Sequence, residues 1–117
     1  MLRKAALFIL FTTAANSFAP SVMADETGLD AIHDQRREGN KICMTSHFHS
    51  GSSSGKKTRK AAEAAAAHDW AGFTAWEYGT DWGSHRLAAS KSMECSQEGG
   101  AWSCHMQARP CKLYRRR

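Results

Sequence analysis

No stretch of this chain is apolar for the roughly 20 residues that a membrane-spanning helix needs. The longest apolar run, Ala5 to Ala15, is too short, and small residues follow it. No cysteine stands beside that run, the first being Cys43, so a lipid-modified thiol there is excluded. No internal repeat is visible, which argues against stacked-repeat folds. Leucine, isoleucine and valine are scarce, so the core must draw on aromatic side chains instead. No nucleophile elbow singles out a serine, and no two acids stand at a defined catalytic spacing. No motif specifies a reaction, and a non-enzymatic role is expected.

What is present begins with an export leader. Arg3 and Lys4 form a basic n-region and Ala5 to Ala15 an apolar h-region. Val22-Met23-Ala24 then supplies the small residues of a signal peptidase site. Ser17-Phe18-Ala19 competes with it, but Pro20 would block cleavage there. Cleavage after Ala24 is expected, giving a product in the periplasm or outside the cell. Roughly 90 residues remain, one domain with a small core that benefits from covalent help. The formal net charge of +5 loses two units with the leader and becomes mildly basic, which favours anionic partners without identifying one.

All four cysteines lie beyond the leader, and an even count in a small exported chain reads as two disulfides. Gly99-Gly100 suits a two-residue hairpin turn. Centring that turn sets Gln97 opposite Trp102, Ser96 opposite Ser103 and Cys95 opposite Cys104. Cys95–Cys104 is therefore one bridge, and Cys43–Cys111 is left as the other. A zinc site of Cys and His competes with this reading, although Cys95 and Cys104 stand too far apart for a zinc-knuckle pair.

The remaining elements follow from pattern. A short helix over Leu29–Glu38 is plausible, and a loose arm equally so. Lys41 to Thr45 has strand character and reads as an edge strand or a stapled loop. Ser50 to Gly55 reads as a flexible linker by composition. The main helix runs from Thr58, a fair N-cap, to about Tyr78, with Gly79 at its C-cap. Its alanines have the best helix propensity, and Ala62, Ala66, Trp70 and Phe73 make one apolar stripe. Strands over His85–Ser96 and Ala101–Arg109 form the hairpin. One face carries Met93, Cys95, Trp102, Cys104 and Met106, and the opposite face Glu94, His105 and Arg109. The expected fold is α+β, a long Ala-rich helix packed on a small antiparallel hairpin sheet with two disulfides. Its parts are a leader (1–24), an arm and linker (25–55), a helix-plus-hairpin core (56–112) and a basic tail (113–117).

The run Ala65-Ala66, Trp70 and Phe73-Thr74-Ala75-Trp76-Glu77-Tyr78-Gly79-Thr80-Asp81-Trp82 stands out. Arg86-Leu87-Ala88, Ser90-Lys91-Ser92-Met93, Trp102-Ser103-Cys104 and Ala108-Arg109-Pro110-Cys111 accompany it. Together they resemble small exported proteins of rhizobia and related alphaproteobacteria. The resemblance implies export and the cysteine framework, and carries over no activity, cofactor or site residue.

Three groups of residues are candidate sites. Lys56, Lys57, Arg59 and Lys60 crowd the start of the helix, where the dipole disfavours cations. Arg115, Arg116 and Arg117 form a second basic cluster after Lys112. Both suit an anionic envelope component or a protein partner; nucleic acid fits the charge but not the compartment. His47 and His49 stand on one side of an extended segment and are candidate zinc or copper ligands, needing a third donor from Asp or another His. Otherwise no cofactor is implied. The functional expectation is an exported, disulfide-stabilised binding module, with metal binding as the alternative and a small hydrolase behind it.

Overall fold

The computed structural model describes residues 26–115, so the expected leader (1–24), Asp25, Arg116 and Arg117 lie outside the described residues. Six strands and one long helix follow in the order β1 (Gln35–Glu38), β2 (Lys41–Met44), β3 (His49–Lys56), α1 (Arg59–Tyr78), β4 (Ala89–Glu98), β5 (Ala101–Arg109) and β6 (Cys111–Leu113). Short 3-10 turns cover Leu29–Ile32 and Thr80–Trp82. The strands form two antiparallel three-stranded sheets, ordered β1-β2-β6 and β3-β5-β4. The α+β expectation of one helix on antiparallel sheets with two disulfides holds.

The hairpin has the register that its turn dictates. Gly99 and Gly100 both take positive φ, 57° and 82°, which glycine adopts without the Cβ penalty. Glu98 then faces Ala101, Cys95 faces Cys104 and Met93 faces Met106. The strand starts at Ala89 rather than His85, after a turn over the preceding residues. Cys95–Cys104 closes the hairpin across a Cα separation of 4.1 Å. Cys43–Cys111 does the same between β2 and β6, at 4.0 Å. Each sheet thus carries one bridge between facing strands, where the sequence placed only one such bridge.

Four expectations about residues 25–55 change, and the first concerns Lys41 to Thr45: in place of an edge strand or stapled loop it supplies β2, the central strand of the first sheet. The plausible helix over Leu29–Glu38 is a single 3-10 turn followed by β1. The arm is therefore ordered, and β1 pairs with β2 along its whole length. The Ser/Gly run is no linker but β3, an edge strand paired to β5 with an irregularity between Ser53 and Lys56. Small residues are needed there because α1 lies directly on the strand. A Cβ at Gly51 would stand 2.4 Å from the Ala66 carbonyl oxygen and 2.6 Å from the Trp70 amide nitrogen. Ser53 Oγ donates to the Ala62 carbonyl at 2.6 Å and accepts from the Cys104 amide at 3.3 Å, joining helix, edge strand and central strand. Asp69 accepts from the Ser52 amide at 2.9 Å.

Helix α1 starts at the expected cap, with the Thr58 hydroxyl accepting from the Ala61 amide at 3.1 Å. Its buried positions are Ala62, Ala66, Trp70, Thr74 and Tyr78. Phe73, expected in the stripe, is 45% exposed, and Thr74 takes the buried place. Four residues turn a helix through about 400°, so a strict i+4 contact line drifts around it. Phe73 lies off that line. Trp70 is wholly buried with Ala62, Ala66, Ala88, Cys104, Met106 and Ala108, and Trp102 packs half-buried against this cluster. The Trp70 indole donates to the His49 carbonyl at 3.0 Å. A second cluster of Met44, Tyr78 and Trp82, with Ile42 against it, lies beneath the first sheet's β2.

The two sheets meet at Arg109. Strand alternation placed this residue on the outer face, yet it is 6% exposed. After it the chain leaves the second sheet and enters the first through Pro110, whose carbonyl accepts from the Met44 amide. The guanidinium at this crossing donates to Glu38, to the Met44 carbonyl at 2.7 Å and to the Ser90 hydroxyl at 3.1 Å.

Candidate functional site

The basic candidates separate into two places. Lys56 ends β3, and Lys57, Arg59 and Lys60 follow at the start of α1; all four are exposed. Arg59 pairs with Glu63 at 3.0 Å in an i,i+4 contact, and its guanidinium lies 5.9 Å from the centre of the Trp102 ring. Lys56, Lys57 and Lys60 have no ion-pair partner among the described residues. Trp102 is fixed beside them by strand pairing, since it faces Lys56 across β3 and β5. This end of the molecule therefore combines four cations, one aromatic ring and the positive pole of a 20-residue helix. Arg115 belongs to the other end. It lines a groove with Thr80, Asp81, Ser84, Leu87 and Leu113, past the C-terminus of α1. A helix of this length separates the two ends by about 30 Å, so Arg115 does not share a surface with the four cations at the start of α1; Arg116 and Arg117 lie outside the described residues.

The histidine candidates do come together, and the structure adds partners that the sequence did not reveal. His49 opens β3 and is buried, 4% exposed. Thr74 and Tyr78, one turn apart on α1, hold it from the helix side. The Thr74 hydroxyl spends its hydrogen on the Trp70 carbonyl at 2.8 Å. It can only accept from His49 Nδ1, 2.9 Å away, so Nδ1 carries the proton. Nε2 of the neutral ring is then a lone pair, accepting from the Tyr78 hydroxyl at 3.1 Å. The Glu77 carboxylate Oε2 also stands 3.2 Å from Nε2. Two electron-rich atoms thus face each other, one on the buried His49 ring and one on the partly exposed Glu77 side chain.

His47 packs edge-on against His49, with ring centroids 5.0 Å apart. His33, from the segment after the first 3-10 turn, stacks on His47 at 3.8 Å. The rings of His33 and His47 make no hydrogen bond among the described residues. Burial, then the neighbouring His47 and His33, pushes His49 down to about 4. Burial and His33 likewise lower His47. Burial, then Glu77 and Asp30, pushes the Tyr78 phenol up to about 12. His47 and His49 are therefore neutral imidazoles near pH 7. Sequence spacing gave His47 and His49; Thr74, Glu77 and Tyr78 follow from helix periodicity once His49 is placed against α1. His33 carried no such signal, because only the fold of the arm brings it there.

A third feature is apolar. Phe73 and Trp76 stack with ring centroids 6.1 Å apart; Phe73 also packs on the His49 ring at 4.9 Å, and Trp76 is 76% exposed. No described helix is long and apolar enough to cross a membrane. Comparison of the chain with protein-family models, with curated proteins and with solved structures finds no match in any of the three.

Proposed function

We propose that this protein is an exported, disulfide-stapled binding module that meets an anionic component of the cell envelope through its basic end. The leader at Arg3 to Ala24 and the pairing of all four cysteines support export. One observation carries the binding reading: Lys56, Lys57 and Lys60 are exposed, unpaired among the described residues and gathered at the N-terminus of α1. Each cation there works against the helix dipole by roughly 0.3–1 kcal/mol. An anionic ligand reverses the sign, because the dipole and the lysines then act together. Arg59 above Trp102 adds a planar cation beside an aromatic surface.

The test is sedimentation with lipid vesicles. Vesicles containing phosphatidylglycerol should carry the protein down, and pure phosphatidylcholine vesicles should not. Each lysine near an anionic surface contributes about 1 kcal/mol, so the combined Lys56→Gln, Lys57→Gln and Lys60→Gln variant should lose on the order of 100-fold in affinity. Undiminished binding by that variant would end this reading. The exposed Phe73–Trp76 pair favours a second reading, a protein partner docked on the outer side of α1. Trp76→Ala would weaken such docking and leave vesicle binding unchanged.

A further inference from the structure

We propose that His49, Glu77 and His47, with His33 as fourth donor, form a binding site for a borderline divalent metal ion of the zinc class. The two-histidine segment lacked a third ligand in the sequence, and the fold supplies two more donors. The case rests on spacing and on lone pairs. Zinc takes nitrogen and oxygen ligands at about 2.0–2.2 Å, so two ligands of one tetrahedral ion stand about 3.3 Å apart. His49 Nε2 and Glu77 Oε2 stand 3.2 Å apart. Two imidazoles on such an ion have ring centres about 5 Å apart by the same bond lengths. The His47 and His49 rings are 5.0 Å apart.

The lone pair is already directed. Thr74 fixes the proton of His49 on Nδ1, as a partner on the far ring nitrogen fixes the tautomer of a metal-bound histidine. Nε2 is left facing a carboxylate with only the Tyr78 hydroxyl hydrogen between acceptors. A cation is the species that suits this pair of acceptors, and Glu77 supplies the charge to offset it. The Glu77 side chain is 28% exposed, so an ion can enter from solvent beside it.

Among the described residues no three such donors stand converged on one point. The face-to-face stack of His33 and His47 at 3.8 Å is closer than two rings on one ion allow. His47 already stands at the spacing from His49 that one ion requires, so on binding it is the His33 ring that moves out of the stack. Neither ring has a hydrogen bond to give up among the described residues. The Tyr78 hydroxyl yields the His49 lone pair when the ion arrives.

The experiment is titration of the full, tag-free chain with Zn²⁺ by calorimetry, and with Co²⁺ by visible absorption. The expected result is one ion per chain and the intense absorption of four-coordinate Co²⁺. Losing an outer partner of a metal site typically costs about 10–100-fold in affinity, so His47→Gln and Glu77→Gln should each cost at least about tenfold. His33→Gln should cost less and alter the Co²⁺ spectrum. His105→Gln, an exposed histidine on the hairpin, should change nothing. Absence of binding by the wild-type chain would overturn the site, whatever the variants do. So would equal affinities for wild type, His47→Gln and Glu77→Gln, which would mark binding by scattered surface histidines.

Discussion

Arg109 and Glu38 clasp the two sheets together through a two-pronged ion pair, Nη1 to Oε2 at 2.6 Å and Nη2 to Oε1 at 2.9 Å. Glu38 ends β1 in one sheet and Arg109 ends β5 in the other. The Arg109 side chain is 8% exposed and that of Glu38 28%. Removing one partner of a buried pair leaves the other charge unmatched, typically at about 3–5 kcal/mol. Arg109→Ala should cost that much in a urea unfolding curve at neutral pH, near the lower figure because Glu38 reaches solvent.

The same pair sets an acid limit. The Arg109 guanidinium beside it holds the Glu38 carboxyl down at about 2, against an ordinary 4.5. The unfolded chain therefore binds the proton first as pH falls. The stabilisation is complete above pH 4.5 and is lost as pH falls through 2. After discounting for solvent screening it amounts to on the order of 1–2 kcal/mol. Between pH 6 and pH 2.5 the wild type should lose that much more stability than Glu38→Gln does. Equal losses would show that the pair contributes nothing to acid sensitivity.

Two glycines should respond oppositely to the same substitution. Gly51→Ala forces a methyl into the backbone of α1, at 2.4 Å from the Ala66 oxygen. Helix and edge strand must separate, and a loss of about 3 kcal/mol or more is expected. Gly72 lies mid-helix with open space around it, so Gly72→Ala should gain about 0.5–1 kcal/mol from helix propensity. Thermal denaturation of the two variants beside wild type checks both signs.

The tryptophans of α1 divide in the same manner. Trp70→Ala empties the centre of the core and should cost about 3–5 kcal/mol. Trp76→Ala removes a ring that is mostly in water, and its effect should stay within about 0.5 kcal/mol. Similar costs for both would mean that the helix is rotated from the face described.

How much of this was legible in the sequence depended on where the information lay. The hairpin was readable to the residue, because Gly99-Gly100 and the period of two together fix which cysteine faces which. The helix was readable from its alanines and its Thr58 cap. β3 was not, because Ser50 to Gly55 contributes mainly by being small. Composition reports that smallness as flexibility, and only the nearness of Ala66 and Trp70 shows its purpose. Phe73 stands off the stripe because helix contact follows the i+4 line through Thr74, whatever the hydrophobicity of the neighbouring side chain. Arg109 departs from the outer face because alternation along β5 knows nothing of the first sheet, into which the chain turns at Pro110. Of the sites, His47 and His49 were visible from spacing, but His33 and Glu77 join them only through tertiary contact. The basic residues were visible as charges, while the length of α1 that lies between Arg115 and the four cations at its start was not.

The two bridges should differ in weight. In the chain-entropy account the short hairpin loop of Cys95–Cys104 is worth about 2.7 kcal/mol and the long loop of Cys43–Cys111 about 4.4 kcal/mol. Replacing each pair by serine should therefore lower the urea midpoint more for Cys43 and Cys111.

Amide hydrogen exchange with and without phosphatidylglycerol vesicles tests the basic-end account most directly. Protection should appear over residues 56–63 and around Trp102, and fade as salt shortens the screening length from roughly 10 Å at 0.1 M to 3 Å at 1 M. Protection confined to the Arg115 end, to the outer side of α1 near Trp76, or to no segment at all would contradict it.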